Sequence, residues 1–299
     1  MKVIQRLGKY FSQHFIDFSN VETNFVPVFR ISIGIILLFH FIAVINDFEL
    51  LYGMDGIIPT DLQTIYQDSR IILVDEVIGS FDKITGSHAN SILLFKISYI
   101  LLSILIILGF FSRFSALLLL VLQVSLVKAG YYYSYGADFF ASMSLFYIML
   151  LPSDNYWSLR KLIFKSNRTQ SYNVVHRTLQ IHLMIAYFVS GIEKLSGFNW
   201  RNGESVWKAV HLPNFTNDFE LDFNWLSEYP WVFVALGWTT IIIELLYPLF
   251  ISLKKTRIAW LYLTISLHLG IALTLNLYFF SAYMITWNLA AFYFIKQQE

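Results

Sequence analysis

The sequence predicts an all-α integral membrane protein, a polytopic helical bundle of about eight transmembrane helices with both termini in the cytoplasm. Three observations carry the prediction. Of 299 residues, 57% are hydrophobic and only 14% are charged, against about 25% charged in soluble domains, so the apolar excess has to face lipid. The apolar residues gather into runs that approach the length of a bilayer crossing, and no alternating barrel pattern appears. The lysines and arginines between those runs segregate to one side.

A hydrocarbon core of about 30 Å takes roughly 20 helical residues. The runs that meet or approach this are Phe25 to Ile45, Ser91 to Phe111, Phe114 to Ala129, Asp138 to Leu151, Thr178 to Leu195, Trp231 to Leu253, Ile258 to Asn276 and Phe279 to Ile295. Asn46-Asp47 closes the first, and Ser112-Arg113 is the only break between the second and third. The first run starts too late for a removable signal and lacks a small-residue cleavage site, so it is expected to act as an anchor. Residues 1–24 form an N-terminal segment, in which Tyr10, Phe11, Phe15, Ile16 and Phe18 alternate with polar residues; it reads either as an interfacial amphipathic helix or as a tail. Residues 25–299 form the membrane domain.

With these spans, Lys2, Arg6, Lys9, Arg113, Arg160, Lys161, Lys165, Arg168, Arg177, Lys254, Lys255, Arg257 and Lys296 all fall on one side. That side is the cytoplasm by the positive-inside rule, which places the protein in the plasma (inner) membrane. The outer loops, about 46–90 and 196–230, carry thirteen carboxylates against Arg70, Lys83, Arg201 and Lys208.

The composition also excludes functions. There is no cysteine, which removes disulfides, thiolate metal sites and cysteine nucleophiles. A net charge of +1 provides no basic face for nucleic acid. The seven histidines show no H-x-x-x-H pair, and phosphate-loop, dinucleotide and nucleophile-elbow motifs are absent, so no metal is expected.

An ionisable residue at membrane depth costs about 2.5–3.5 kcal/mol on insertion scales, and those that remain are the functional clues. Arg30, Lys96 and Lys128 lie near span ends, where snorkelling explains them. Asp138, Glu193 and Lys194 lie near the outer ends of two spans, where they are able to converge below the outer surface. The balance between desolvation and a neighbouring carboxylate then decides whether Lys194 is a base or half of an ion pair with Asp138 or Glu193. Glu244 sits deeper than a snorkel reaches, and His268 is near the middle of its span, where packing is the commoner role of a single histidine. Tyr131-Tyr132-Tyr133, Trp200, Trp207, Trp225 and Trp231 form an aromatic belt at the outer surface, which would also suit a flat ligand such as a quinone.

The segment Ala186-Tyr187-Phe188-Val189-Ser190-Gly191-Ile192-Glu193-Lys194-Leu195, followed by Trp200 and Gly203, resembles the membrane domain of the vitamin K-dependent γ-carboxylase-like (HTTM) family. Phe29-Arg30-Ile31 with Asp55-Gly56-Ile57-Ile58-Pro59, Tyr135-Gly136-Ala137-Asp138 with Phe146 and Asn155-Tyr156-Trp157-Ser158, Glu244-Leu245-Leu246 with Pro248, and His268-Leu269 with Phe280 extend the resemblance along nearly the whole chain. The resemblance implies that Lys194 is the base that deprotonates a reduced quinone of the vitamin K type. Asp138, Glu193 and His268 would complete the catalytic group, and Trp200, Asp55, Glu244 and Tyr133 would contribute to binding. Two positions depart from the carboxylase pattern: Glu193 replaces a second basic residue, and Asp138 lies near a histidine position. The large lumenal region that grips a propeptide in animal carboxylases is also missing, so protein γ-carboxylation is not assumed.

In size and content the chain resembles the short bacterial SdpB-like members, which help to mature a secreted peptide. The expected function is therefore an enzyme or enzyme subunit that modifies or matures a secreted peptide at the outer face, with lipid, that peptide and a partner subunit as its partners. A small transporter or an immunity-type binder using the Asp138, Lys194 and Glu244 charges is the alternative, and a structural partner with glued charges is the third.

Overall fold

A computed structural model describes residues 21–53, 56–59, 72–164, 172–212, 218–219 and 221–295. Among the described residues the elements are helical, with one isolated antiparallel bridge between Val21 and Ile295. The chain divides into two compact units, one of Val26–Tyr172 and the other of Met1–Phe25 with Asn173–Glu299.

In the first unit the helices run α1 (Phe25–Val44), α2 (Phe48–Tyr52), α3 (Val74–Thr85), α4 (His88–Leu108), α5 (Ser112–Ala129), α6 (Gly136–Leu150) and α7 (Leu159–Phe164). Phe29, Ile33, Leu37 and Phe41 recur every fourth residue on α1 and are all buried, the single stripe by which that helix meets its core. Phe41 stacks on Tyr99 with ring centroids 4.0 Å apart, and the Tyr99 hydroxyl donates to Gln123 Oε1 at 2.5 Å, which pairs two polar groups buried between α4 and α5. Gly109, at φ +69°, turns the chain out of α4.

The second unit holds α8 (Asn173–Ser196), α9 (Phe198–Arg201), α10 (Glu204–His211), α11 (Pro230–Leu245), α12 (Tyr247–Ser252), α13 (Arg257–Leu275) and α14 (Tyr278–Asn288), which continues as a π-helical turn over Leu289–Tyr293. α8 packs on α11, and α13 packs on α14. A π turn misaligns the main-chain ladder. Here His176 Nε2 donates to the Ala290 carbonyl at 2.9 Å and Gln180 Nε2 to the Ala291 carbonyl at 2.7 Å, so side chains one turn apart on α8 satisfy it.

Among the described residues, four helices are long and apolar enough to cross a membrane: α1, α4, α5 and α13. α6 and α11 are apolar but shorter. Two expectations are corrected. The continuous span expected over Trp231 to Leu253 is broken into α11 and α12, because Pro248 has no N–H to offer the Glu244 carbonyl four residues back. The segments read as outer loops carry the helices α2, α3, α9 and α10. In α3, Glu76 Oε2 accepts the Leu73 N–H at 3.1 Å across the first turn, and Gly86 in the left-handed region ends the helix. The N-terminal segment falls largely outside the described residues.

The second correction is Arg30. Expected to snorkel, it is 0% exposed. Nη1 donates to the carbonyls of Ser153 (2.7 Å) and Tyr156 (3.1 Å), and Nη2 to that of Trp157 (2.6 Å). A Cβ at Gly109 would collide with this guanidinium and with Ser158, so the glycine makes room for it. Arg30→Met should strip three carbonyls of their donors and cost about 3 kcal/mol or more, read as a fall in melting temperature in detergent micelles, with Arg30→Lys recovering only part. Wild-type stability in Arg30→Met would sink this account of the 153–157 segment.

Candidate functional site

The polar residues of α8 lie in register. Tyr187, Ser190, Gly191 and Lys194 are spaced i, i+3, i+4, i+7 and share one face of the helix. Gly191 lets that face approach α11 closely: a Cβ there would stand 2.6 Å from the Leu245 main-chain nitrogen. The adjacent turn therefore brings Lys194 to Glu244. Lys194 Nζ donates to Glu244 Oε2 at 2.8 Å and to Ser190 Oγ at 2.6 Å, and it sits 5.0 Å from the centre of the Trp200 ring. The Trp200 carbonyl packs where Gly237 leaves no Cβ, which fixes α9 against α11. Glu244 is 7% exposed. The lysine thus meets a carboxylate, a hydroxyl and an aromatic face, and it keeps one side open, its side chain 18% exposed.

A second polar chain runs two turns along the same face. Asn288 Nδ2 donates to the Met284 carbonyl (2.8 Å) and to the Tyr187 hydroxyl oxygen (2.8 Å), while its Oδ1 accepts the Tyr247 hydroxyl (2.7 Å). The Met284 carbonyl only accepts, so the amide orientation is fixed and both amide hydrogens are committed. The Tyr187 proton then goes to His268 Nε2, 2.7 Å away. That makes His268 the Nδ1–H tautomer. His268 is 3% exposed, and among the described residues its Nδ1 has no hydrogen-bond partner. Tyr187 also stacks on Tyr247, with centroids 4.2 Å apart. Glu244 lies within electrostatic reach of Tyr187, and Lys194 within reach of His268, so the ion pair and the tyrosine chain form one neighbourhood.

The other expected site residues are placed as follows. Glu193 is exposed and lies off the Tyr187–Lys194 face, outside the network. Asp138 belongs to the first unit, where its Oδ2 accepts the Tyr135 N–H at 3.0 Å across the first turn of α6 and its Oδ1 is 4.0 Å from His40 Nε2. Tyr133 donates its hydroxyl to the Leu51 carbonyl, tying the turn after α5 to α2. Asp55 lies outside the described residues. Sequence reading alone did not single out Ser190, Tyr187, Tyr247 and Asn288; the signal available was helical spacing from Lys194 for the first two and polar atoms within apolar runs for the others.

The family model of the HTTM domain matches residues 59–296, and the chain belongs to the HTTM family. It is a membrane protein of the carboxylase-like class. No curated protein and no solved structure matches it.

The hydrogen-bond chain fixes a tautomer that is directly measurable. Nitrogen NMR of histidine-labelled protein in nanodiscs should show His268 protonated at Nδ1 and bare at Nε2, and Tyr187→Phe should perturb the Nε2 signal by removing its donor. An Nε2-protonated His268 in the wild type would refute the assignment.

Proposed function

We propose that the protein is a membrane enzyme, or the membrane subunit of one, in which Lys194 exchanges a proton while a secreted peptide is modified or matured at the outer membrane face. The single observation that supports this reading is the Lys194–Glu244 pair, held by Ser190 and Trp200 in a largely buried site. A lysine so held has a defined proton route. Nζ passes a proton along the 2.8 Å bond to Glu244 Oε2, and the resulting neutral amine takes up another from an acidic hydroxyl on its open side. Ser190 and the Trp200 face keep Nζ oriented in both states.

A reduced quinone of the vitamin K type is the proposed cofactor. Bound here, it would supply an acidic hydroxyl and reducing power. The part-exposed Trp200 ring, 5.0 Å from Lys194 Nζ, offers a flat surface that suits such a group. His268 and Tyr187 act in this reading as positioning residues, and Asp138 and Tyr133 as supports of the outer end of their own unit.

The reading includes an SdpB-like subtype, a partner subunit, eight spans with both termini cytoplasmic, and the plasma (inner) membrane. The eight-span arrangement is supported by the one-sided lysines and arginines and by α8, whose 24 residues give a length of about 36 Å, with His176, Gln180 and Lys194 bonded inside the protein. A transporter or immunity-type binder is the second reading, favoured by Glu244 standing at the break between α11 and α12, since interrupted helices are where transporters place their charge sites.

Lys194→Ala should abolish the mass change of the cognate peptide. Removing one partner leaves Glu244 uncompensated, at about 3–5 kcal/mol, so the companion variant is the double Lys194→Met/Glu244→Leu, which should restore the melting temperature but not the product. Full product formation in either variant ends the enzymatic reading. Substrate flux in proteoliposomes without any change to the peptide would favour the transporter.

A further inference from the structure

A groove of about 810 Å³ opens where α4 ends, lined by Ile107, Leu108, Trp157, Leu159, Leu162 and Lys161, together with Ser158. α4 has 21 residues, the length of one bilayer crossing of about 20, so its last turn marks a membrane face. The groove therefore lies at the level where acyl chains meet headgroups.

Its walls are held from inside the unit. Arg30 binds the carbonyls of Ser153, Tyr156 and Trp157, the Ser158 hydroxyl donates to the Asp154 carbonyl, and Arg160 reaches Asp154 Oδ2 at 3.4 Å. Trp157 has φ +42°, a backbone region that favours glycine, yet it carries a large indole that is 63% exposed. Burial does not reward that conformation, since most of the ring is accessible. Its use is to present an indole at the membrane interface, the depth at which tryptophan is enriched. Arg160 is committed to Asp154, whereas Lys161 is exposed and, among the described residues, has no carboxylate within ion-pair distance.

We infer that this groove is a binding site for an anionic phospholipid. The phosphate rests on Lys161 Nζ, the glycerol level on the Trp157 indole, and an acyl chain along Ile107, Leu108 and Leu162. Charge complementarity selects an anionic lipid over a zwitterionic one, because among the described residues no carboxylate pairs with the Lys161 cation. The apolar lining selects a lipid over a free anion, since most of the contact is hydrocarbon. The site is separate from the Lys194 group and stands whether or not the enzymatic reading holds.

The test is native mass spectrometry of the full chain released from nanodiscs of equal phosphatidylglycerol and phosphatidylcholine, with thermal unfolding measured in parallel. The wild type should retain phosphatidylglycerol preferentially, and Lys161→Gln should lower that preference about fivefold. Trp157→Gly should reduce retention while leaving the melting temperature unchanged or higher, because glycine suits the φ at that position. An unchanged preference in Lys161→Gln overturns the proposal. So does displacement of the lipid by glycerol phosphate alone, which would make the site one for a free phosphate, or equal retention of a neutral quinone and phosphatidylglycerol.

Discussion

A charged lysine and a charged glutamate 2.8 Å apart inside a hydrocarbon-bounded fold set the terms for everything around them. Moving either ion alone out of water costs several kcal/mol even after relaxation, and their attraction offsets that only when geometry is good and remaining donors are met. The surrounding residues read as the conditions for that geometry. Gly191 removes the side chain that would hold α8 away from α11, and Gly237 lets the Trp200 carbonyl close on the same helix. Ser190, one turn before Lys194, takes a second donor, and Trp200 faces the charge with its ring. A Cβ at either glycine would separate the helices and lengthen the one bond that makes the buried pair tolerable.

The same constraint, that polar groups away from water must be met within the protein, explains features that have no sequence motif. Arg30 spends its guanidinium on main-chain carbonyls of the 153–157 segment, and His176 and Gln180 spend their donors on the carbonyls of a π turn. In these cases the partner is backbone, whose chemistry is the same at every residue. Position along a span suggests that a buried arginine near its end reaches outward to headgroups. Only the fold reveals that the carbonyls inside are nearer.

This marks where the sequence is legible. Hydrophobic runs announce helices reliably because lipid leaves no other backbone solution, and α1, α4, α5 and α13 lie where their runs predict. The break after α11 was also written in the sequence, in Pro248, but run length outweighed it. For the site, the sequence marks Glu244 as a charge deeper than a snorkel reaches and Lys194 as one near the outer end of its span, set against Asp138 or Glu193. The partnership of Lys194 with Glu244 is not marked, since it depends on which face of α8 meets which helix, and that is decided by a glycine. Asp138 drew attention for its depth, yet depth at the first turn of a helix is equally the signature of an N-terminal cap, and its contact with the Tyr135 N–H shows that use. Glu193, next to the lysine in sequence, is turned off its face by the 100° step of the helix.

The two parts of this neighbourhood differ in how fully their polar atoms are met. A structural ion pair is complete when each charge is matched, and here Lys194 is matched by Glu244, Ser190 and Trp200. Two turns away, the chain from Tyr247 through Asn288 and Tyr187 to His268 is satisfied at every link until its last atom, Nδ1 of His268, a buried N–H with no acceptor among the described residues. A buried donor left without an acceptor costs about 1–3 kcal/mol, a sum that packing alone would remove by replacing the histidine with an apolar residue. The histidine is worth that cost because its Nε2 accepts the Tyr187 hydroxyl, which an apolar residue would leave as another buried donor without an acceptor.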